Sequence, residues 1–154
     1  MKAINLKTEY LTTPIGIDIQ NPRLMWNCEG GTTQLAYQIA VSNGKSVVWN
    51  SGKVYTDSMS VSYPLTINSR QRLSWNVTLW DENDVEGETS ETAFFETGLL
   101  SASDFVAKWI SGNYRVNPRR RYPIDCFRKT FSAQTAVKAR LYITACGLYE
   151  ANIN

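Results

Sequence analysis

Histidine is missing from the chain altogether. Imidazole relays protons in Ser-His-Asp and Cys-His nucleophiles, is a common zinc ligand and is the usual switch near neutral pH. Its absence excludes all of these and leaves carboxylates, lysine, tyrosine and thiols for any chemistry. Cysteine is scarce too. Cys28, Cys126 and Cys146 are an odd number, and spacings of 98 and 20 residues fit neither a disulfide framework nor a Cys-x-x-Cys metal site. They read as reduced thiols. No apolar run approaches the ~18 residues needed to span a bilayer, and Met1 to Tyr10 carry Lys2, Lys7 and Glu9 instead of a secretory h-region. A cytoplasmic location with no membrane partner is therefore expected. Charge is sparse as well, at 19% of residues.

What is present suits a folded chain. With 154 residues, 43% hydrophobic and 12% of them aromatic, it can build a core for one or two small units. The net charge of +2 conceals a division: residues 1–98 hold seven basic and eleven acidic side chains, residues 99–154 nine and three. Two units with different surfaces are expected.

The first unit reads as a string of strands. Tyr37, Ile39 and Val41 recur at period 2, as do Leu73, Trp75, Val77 and Leu79, while Ser46 to Ser51 and Thr92 to Thr97 are further β-branched or aromatic runs. Asn43-Gly44, Ser51-Gly52, Tyr63-Pro64 and Asp81 to Gly87 supply turns between them. About seven strands in an antiparallel sandwich are predicted, with no amphipathic helix of any length. Residues 99–110 read as a connector in which Ser101 or Ser103 caps a helical turn. A polar loop over 111–123, with Arg119 to Arg121, precedes strand-like segments at 125–132, 137–145 and 149–153. Ending inside such a segment leaves a sheet edge unpaired, so Asn154 is expected not to be a natural terminus.

Three groups of residues invite a chemical reading. Asp81 to Glu88 is the densest acidic cluster, but Val85 and Glu86 stand where a calcium loop needs a ligand and a glycine, so it reads as a solvated hairpin turn. Of the five tryptophans, Trp75 falls in phase with the core, whereas Trp80 is out of phase and is the best candidate for an exposed or interdomain ring. The arginine run carries no nucleic-acid fold signature and reads as an exposed loop, so no nucleic-acid partner is expected. No thiol has a convincing activator.

Taken in order, Asn21 to Trp26, Gln34 to Ile39, Trp49 to Val54, Ser69 to Trp75 with Trp80-Asp81, Phe95 to Leu100 and Ala107 to Ile110 resemble the N-terminal region of bacterial alpha-L-rhamnosidases of glycoside hydrolase family 78. The pattern Leu65, Trp75, Val77, Leu79, Gly87 looks like a fibronectin type III module. Cys126 to Phe131 and Ala139 to Asn154 are similar to the opening strands of the jelly roll that follows in that family. Departures fall at Thr89, where members often have tryptophan, and Asn152, where an aromatic is common.

The resemblance implies an all-β chain: a fibronectin III/immunoglobulin-like antiparallel β-sandwich at 1–98, a connector at 99–110, and an incomplete jelly-roll β-domain at 111–154. It further implies that the catalytic carboxylates of the parent lie in an (α/α) barrel absent from this chain and act by inversion. No catalytic, cofactor-binding or metal residue is carried over, and no cofactor is expected. Trp80 and Trp109 are the candidate ligand or interdomain contacts. The expected function is a non-catalytic structural module whose partners are the barrel and remaining β-domains of the parent, with a homodimer through the incomplete C-terminal strands. The alternatives are a carbohydrate-binding module using exposed aromatics and a protein-adhesion module.

Overall fold

A computed structural model describes residues 1–132, 135 and 137–153; Ala133, Gln134, Ala136 and Asn154, inside the expected second β-domain, lie outside the described residues. Among the described residues there are nine strands: β1 (Lys2–Thr8), β2 (Ile15–Ile17), β3 (Arg23–Glu29), β4 (Ala36–Ser42), β5 (Val47–Asn50), β6 (Val54–Tyr55), β7 (Ser60–Ser62), β8 (Arg72–Trp80) and β9 (Ala93–Thr97). They form a three-stranded sheet, β1-β3-β7, and a larger sheet, β2-β9-β8-β4-β5, with β6 also pairing β4. The excess over seven comes from pieces of two or three residues, too short for alternation to register.

The alternation of β4 and β8 sets the core. Antiparallel pairing places Tyr37 opposite Leu79, Ile39 opposite Val77 and Val41 opposite Trp75, so the apolar faces of the two strands coincide. Phe95 of β9 stands opposite Leu73. Against this layer pack Ala3 of β1 and Leu24 and Trp26 of β3, with Tyr63 and Ile67 from the β7–β8 connection. Each of the large aliphatic side chains and Phe95 among these, fully buried, contributes ~1.5–3 kcal/mol. One pairing departs from the antiparallel pattern: β2 runs parallel to β9, Ile15 opposite Glu96.

Turn chemistry is local. Between β4 and β5 the Asn43 Oδ1 accepts the N–H groups of Lys45 and Ser46, and Gly44 takes φ +84. Gly87 is required for a different reason, since a Cβ there would collide with the Met1 carbonyl.

Contacts group Met1–Phe105 into one compact unit and Val106–Asn154 into another, so the expected connector 99–110 straddles the division. Ser101 is the N-cap of a 3₁₀ turn, Ala102–Asp104, as its sequence position suggests.

Within Val106–Asn154 the polar loop is organised by side chains. Tyr114 and Tyr122 stack with centroids 4.6 Å apart, and the Tyr114 hydroxyl donates to Asp125 at 3.0 Å. The segments 125–132, 137–145 and 149–153 were expected as strands and form no ladder among the described residues. A strand persists only as one half of a ladder; without a paired neighbour its backbone bonds water instead.

Candidate functional site

Alternation along β8 turns Trp80 away from the face that carries Leu73, Trp75, Val77 and Leu79, and the ring lies outside the core cluster. Of the two placements expected for Trp80, an exposed or an interdomain ring, exposure does not hold: Trp80 is only 7% exposed. Part of its cover is Lys53, whose ammonium lies 4.5 Å from the Trp80 ring centroid and 5.1 Å from that of Tyr55. The same ammonium binds the Asp84 carboxylate, and that bond holds Lys53 above its ordinary pKa. β6 brings this about, because Tyr55 pairs with Ala36, which in turn stands opposite Trp80. A ligand stacking on Trp80 would have to displace Lys53.

The acidic turn beyond Trp80 is a hub of internal contacts. Asp81 Oδ1 accepts the N–H groups of Asn83 and Val85, and Glu88 pairs with Lys2 at 3.2 Å. Glu82 accepts the N–H groups of Thr32 (3.1 Å) and Thr33 (3.2 Å) from the β3–β4 loop. Its own backbone N–H, then those of Thr32 and Thr33, pull its carboxyl down to about 2. A carboxyl depressed by folding contributes stability that is present above its ordinary value of 4.5 and is lost as pH falls towards 2. Glu9 is also held low, by its bond to Arg23, so acid weakens more than one contact. Glu82→Gln is therefore expected to flatten part of the acid dependence. Urea midpoints at pH 5 and pH 2.5 should differ less in the variant than in the parent; an equal difference would show that the contact has no weight.

The same loop carries Gln34, 4% exposed. Its Oε1 accepts from Trp26 Nε1 at 2.9 Å and from Cys28 Sγ at 3.5 Å; its Nε2 donates to the carbonyls of Thr56 (3.0 Å) and Ser58 (2.9 Å). All the usual capacity of the amide is used. Beside it a cavity of about 310 Å³ is lined by Met1, Cys28, Thr33, Asp57 and Met59, among others. Burial pushes the Cys28 thiol up, which keeps it protonated and unreactive. No group of three or more cysteine, aspartate or glutamate side chains among the described residues is placed to hold a metal ion.

Trp109 contrasts with Trp80. It lies in the unit beginning at Val106 and is 70% exposed. Sequence reasoning missed Gln34, Lys53 and the Glu82 contact with the β3–β4 loop, because each partner is remote along the chain and no local pattern marks it.

Two sheets in this order, packed face to face, define the class: an immunoglobulin-like β-sandwich module. Within that class, the chain belongs to the family described as the Rha78A-like, N-terminal immunoglobulin domain, whose model matches residues 3–101. Its relatives include an alpha-L-rhamnosidase of Streptomyces avermitilis, 36% identical over 122 residues, which covers 72% of this chain and 12% of that protein. An alpha-L-rhamnosidase of Alteromonas sp. strain LOR is 33% identical over 172 residues, covering 99% of this chain and 19% of the relative. Among solved structures, the alpha-L-rhamnosidase of Dictyoglumus thermophilum superposes with a TM-score of 0.65 at 32% identity, over 71% of this chain and 14% of that one. The chain thus spans less than a fifth of the length of these curated relatives. No helix among the described residues is long and apolar enough to cross a membrane.

Proposed function

We propose that this chain is a non-catalytic N-terminal module of an alpha-L-rhamnosidase, a bacterial, cytoplasmic glycoside hydrolase that removes terminal alpha-linked L-rhamnose by inversion. The observation that carries this reading is a coincidence of limits: the family match, residues 3–101, falls within the compact unit Met1–Phe105, while the relatives have most of their length elsewhere. Three free cysteines support the cytoplasmic part of the proposal. In the same proposal the fibronectin III-like sandwich occupies 1–98, the connector 99–110 and the first part of a jelly roll 111–154. Its partners are the catalytic (α/α) barrel and the remaining β-domains. Exposed Ile124, Phe131, Val137 and Leu148 favour a homodimer of the isolated chain through its C-terminal segments.

A second reading rests on Trp109. An exposed indole face can stack on a pyranose ring, so Trp109, more than the covered Trp80, would be the carbohydrate contact. One experiment separates the two. Purified chain is mixed with an aryl alpha-L-rhamnoside and with rhamnose oligosaccharides, while product release, tryptophan fluorescence and light scattering are followed. The structural module predicts no turnover and no quenching, with a mass that rises with concentration. Saturable quenching that Trp109→Ala abolishes would favour the carbohydrate reading, and specific hydrolysis by the pure chain would overturn both.

A further inference from the structure

The β7–β8 connection ends in a polar turn, Asn68-Ser69-Arg70-Gln71, with Arg70 at φ +62. A turn of this composition ordinarily points its side chains into water. Here the Ser69 and Arg70 side chains and the backbone of Asn68, Arg70 and Gln71 are directed to the end of β9 and the chain that leaves it. Thr97 Oγ1 donates to the Asn68 carbonyl at 2.6 Å and accepts the Gln71 N–H at 2.8 Å. The Arg70 N–H donates to the Gly98 carbonyl at 2.9 Å. The Ser69 hydroxyl accepts the Leu100 N–H at 2.8 Å and donates to Asp104 Oδ2 at 2.5 Å. Arg70 Nη2 reaches the Asp104 carbonyl at 2.8 Å.

These bonds reinforce one another. Asp104 Oδ2 also accepts the Ser101 N–H at 3.1 Å, closing the capping box of the 3₁₀ turn, so one carboxylate joins the turn to itself and to the sandwich. Leu100 packs against the core between the two ends of this network. The chain from Gly98 to Asp104 is therefore fastened through backbone and side chain alike, and the compact unit extends to Phe105.

We infer that Ser69, Arg70 and Asp104 form an exit clamp that makes residues 99–105 a rigid continuation of the sandwich. The fastened backbone of the module therefore runs to Phe105, not to Gly98, and the β7–β8 turn fixes its course up to that point. The use of such a device in orienting further domains rests on the module reading above. The clamp itself is a property of this chain and can fail independently of it.

The test is backbone relaxation and amide hydrogen exchange by NMR on the full 154-residue chain. In the parent, Leu100 to Asp104 should show order parameters of about 0.85, like β8. Ser69→Ala should speed exchange of the Leu100 amide at least ~10-fold and lower the order parameters of 99–105, while Val77 and Leu79 keep their protection. Asp104→Ala, outside every strand, should do the same without disturbing the sheets, and Ser69→Thr, which retains the hydroxyl, should restore the parent behaviour. The clamp is overturned if 99–105 shows order parameters below about 0.6 in the parent, or if both alanine variants leave it equally ordered. Neither result depends on whether any rhamnoside is bound or cleaved.

Discussion

Trp75→Ala is expected to lower the unfolding free energy of the sandwich by about 4 kcal/mol, in the range for removing a large aromatic from a packed core. The residue is 1% exposed, lies opposite Val41 on β4 and Ala93 on β9, and belongs to the cluster that joins both sheets. Domains of this size are stable by ~5–15 kcal/mol, so a loss of this order removes a large share of the total. The Tm should fall by roughly 15–30 °C, taking ~4–8 °C per kcal/mol for a domain of 60–100 residues. A second substitution separates volume from polarity. Trp75 Nε1 is buried with no hydrogen-bond partner among the described residues, so Trp75 brings the cost of an unpaired donor. Trp75→Phe removes that donor and leaves a smaller void; it should cost about half as much or less. Trp80→Ala, outside the core cluster, should also cost less than Trp75→Ala. If thermal and urea denaturation gave Trp75→Ala and Trp80→Ala the same loss, the division of β8 into an inner and an outer face would be wrong.

That division is the part of the fold most legible in the sequence. Tyr37, Ile39 and Val41, and Leu73 through Leu79, repeat at period 2 over enough residues to fix which side faces inward, and all are buried. Strands of two or three residues, such as β2 and β6, have no period to detect, and the parallel pairing of β2 with β9 follows from how the chain wraps. Trp80 shows where alternation stops being informative. Phase gives the face of the sheet; exposure depends on Lys53, which reaches the ring only because β6 pairs with β4. In 125–132 and 137–145 the strand pattern is present, but a pattern does not supply a partner, and no ladder forms there among the described residues.

The same distinction holds for polar groups. Ser101 with Asp104 three residues later is a local signature, and the capping box is formed. Ser69 and Arg70, which complete the clamp, are joined to it only by folding. The acidic run 81–88 was legible as a turn from its composition, yet the partners of Glu82, Asp84 and Glu88 come from the β3–β4 loop, Lys53 and Lys2.

Gln34 gives the second large expected effect. Gln34→Ala leaves the Trp26 indole N–H and the carbonyls of Thr56 and Ser58 without their side-chain partner. The buried Trp26 N–H, left unpaired, costs ~1–3 kcal/mol, while the Thr56 and Ser58 carbonyls are only part-buried and the adjoining cavity of about 310 Å³ can admit water to them, so a loss of about 3 kcal/mol is expected in urea denaturation. Gln34→Glu sharpens the test, because it keeps the volume and changes only what the amide nitrogen supplied. A carboxylate can accept from Trp26 but would oppose two carbonyl oxygens, whereas the protonated acid can donate to one of them. Folding should therefore raise the pKa of the introduced acid above the ordinary ~4.3. The variant should approach parental stability below that value and lose it as pH rises through the raised pKa. Stability of Gln34→Glu equal to the parent's at pH 8 would show that the donor side of Gln34 carries no weight. The effect should also spread: Gln34 anchors the loop whose Thr32 and Thr33 N–H groups hold Glu82. In Gln34→Ala the Glu82 carboxyl, followed by NMR, should titrate above about 2 yet stay below 4.5, because its own backbone N–H still holds it while the Thr32 and Thr33 bonds loosen.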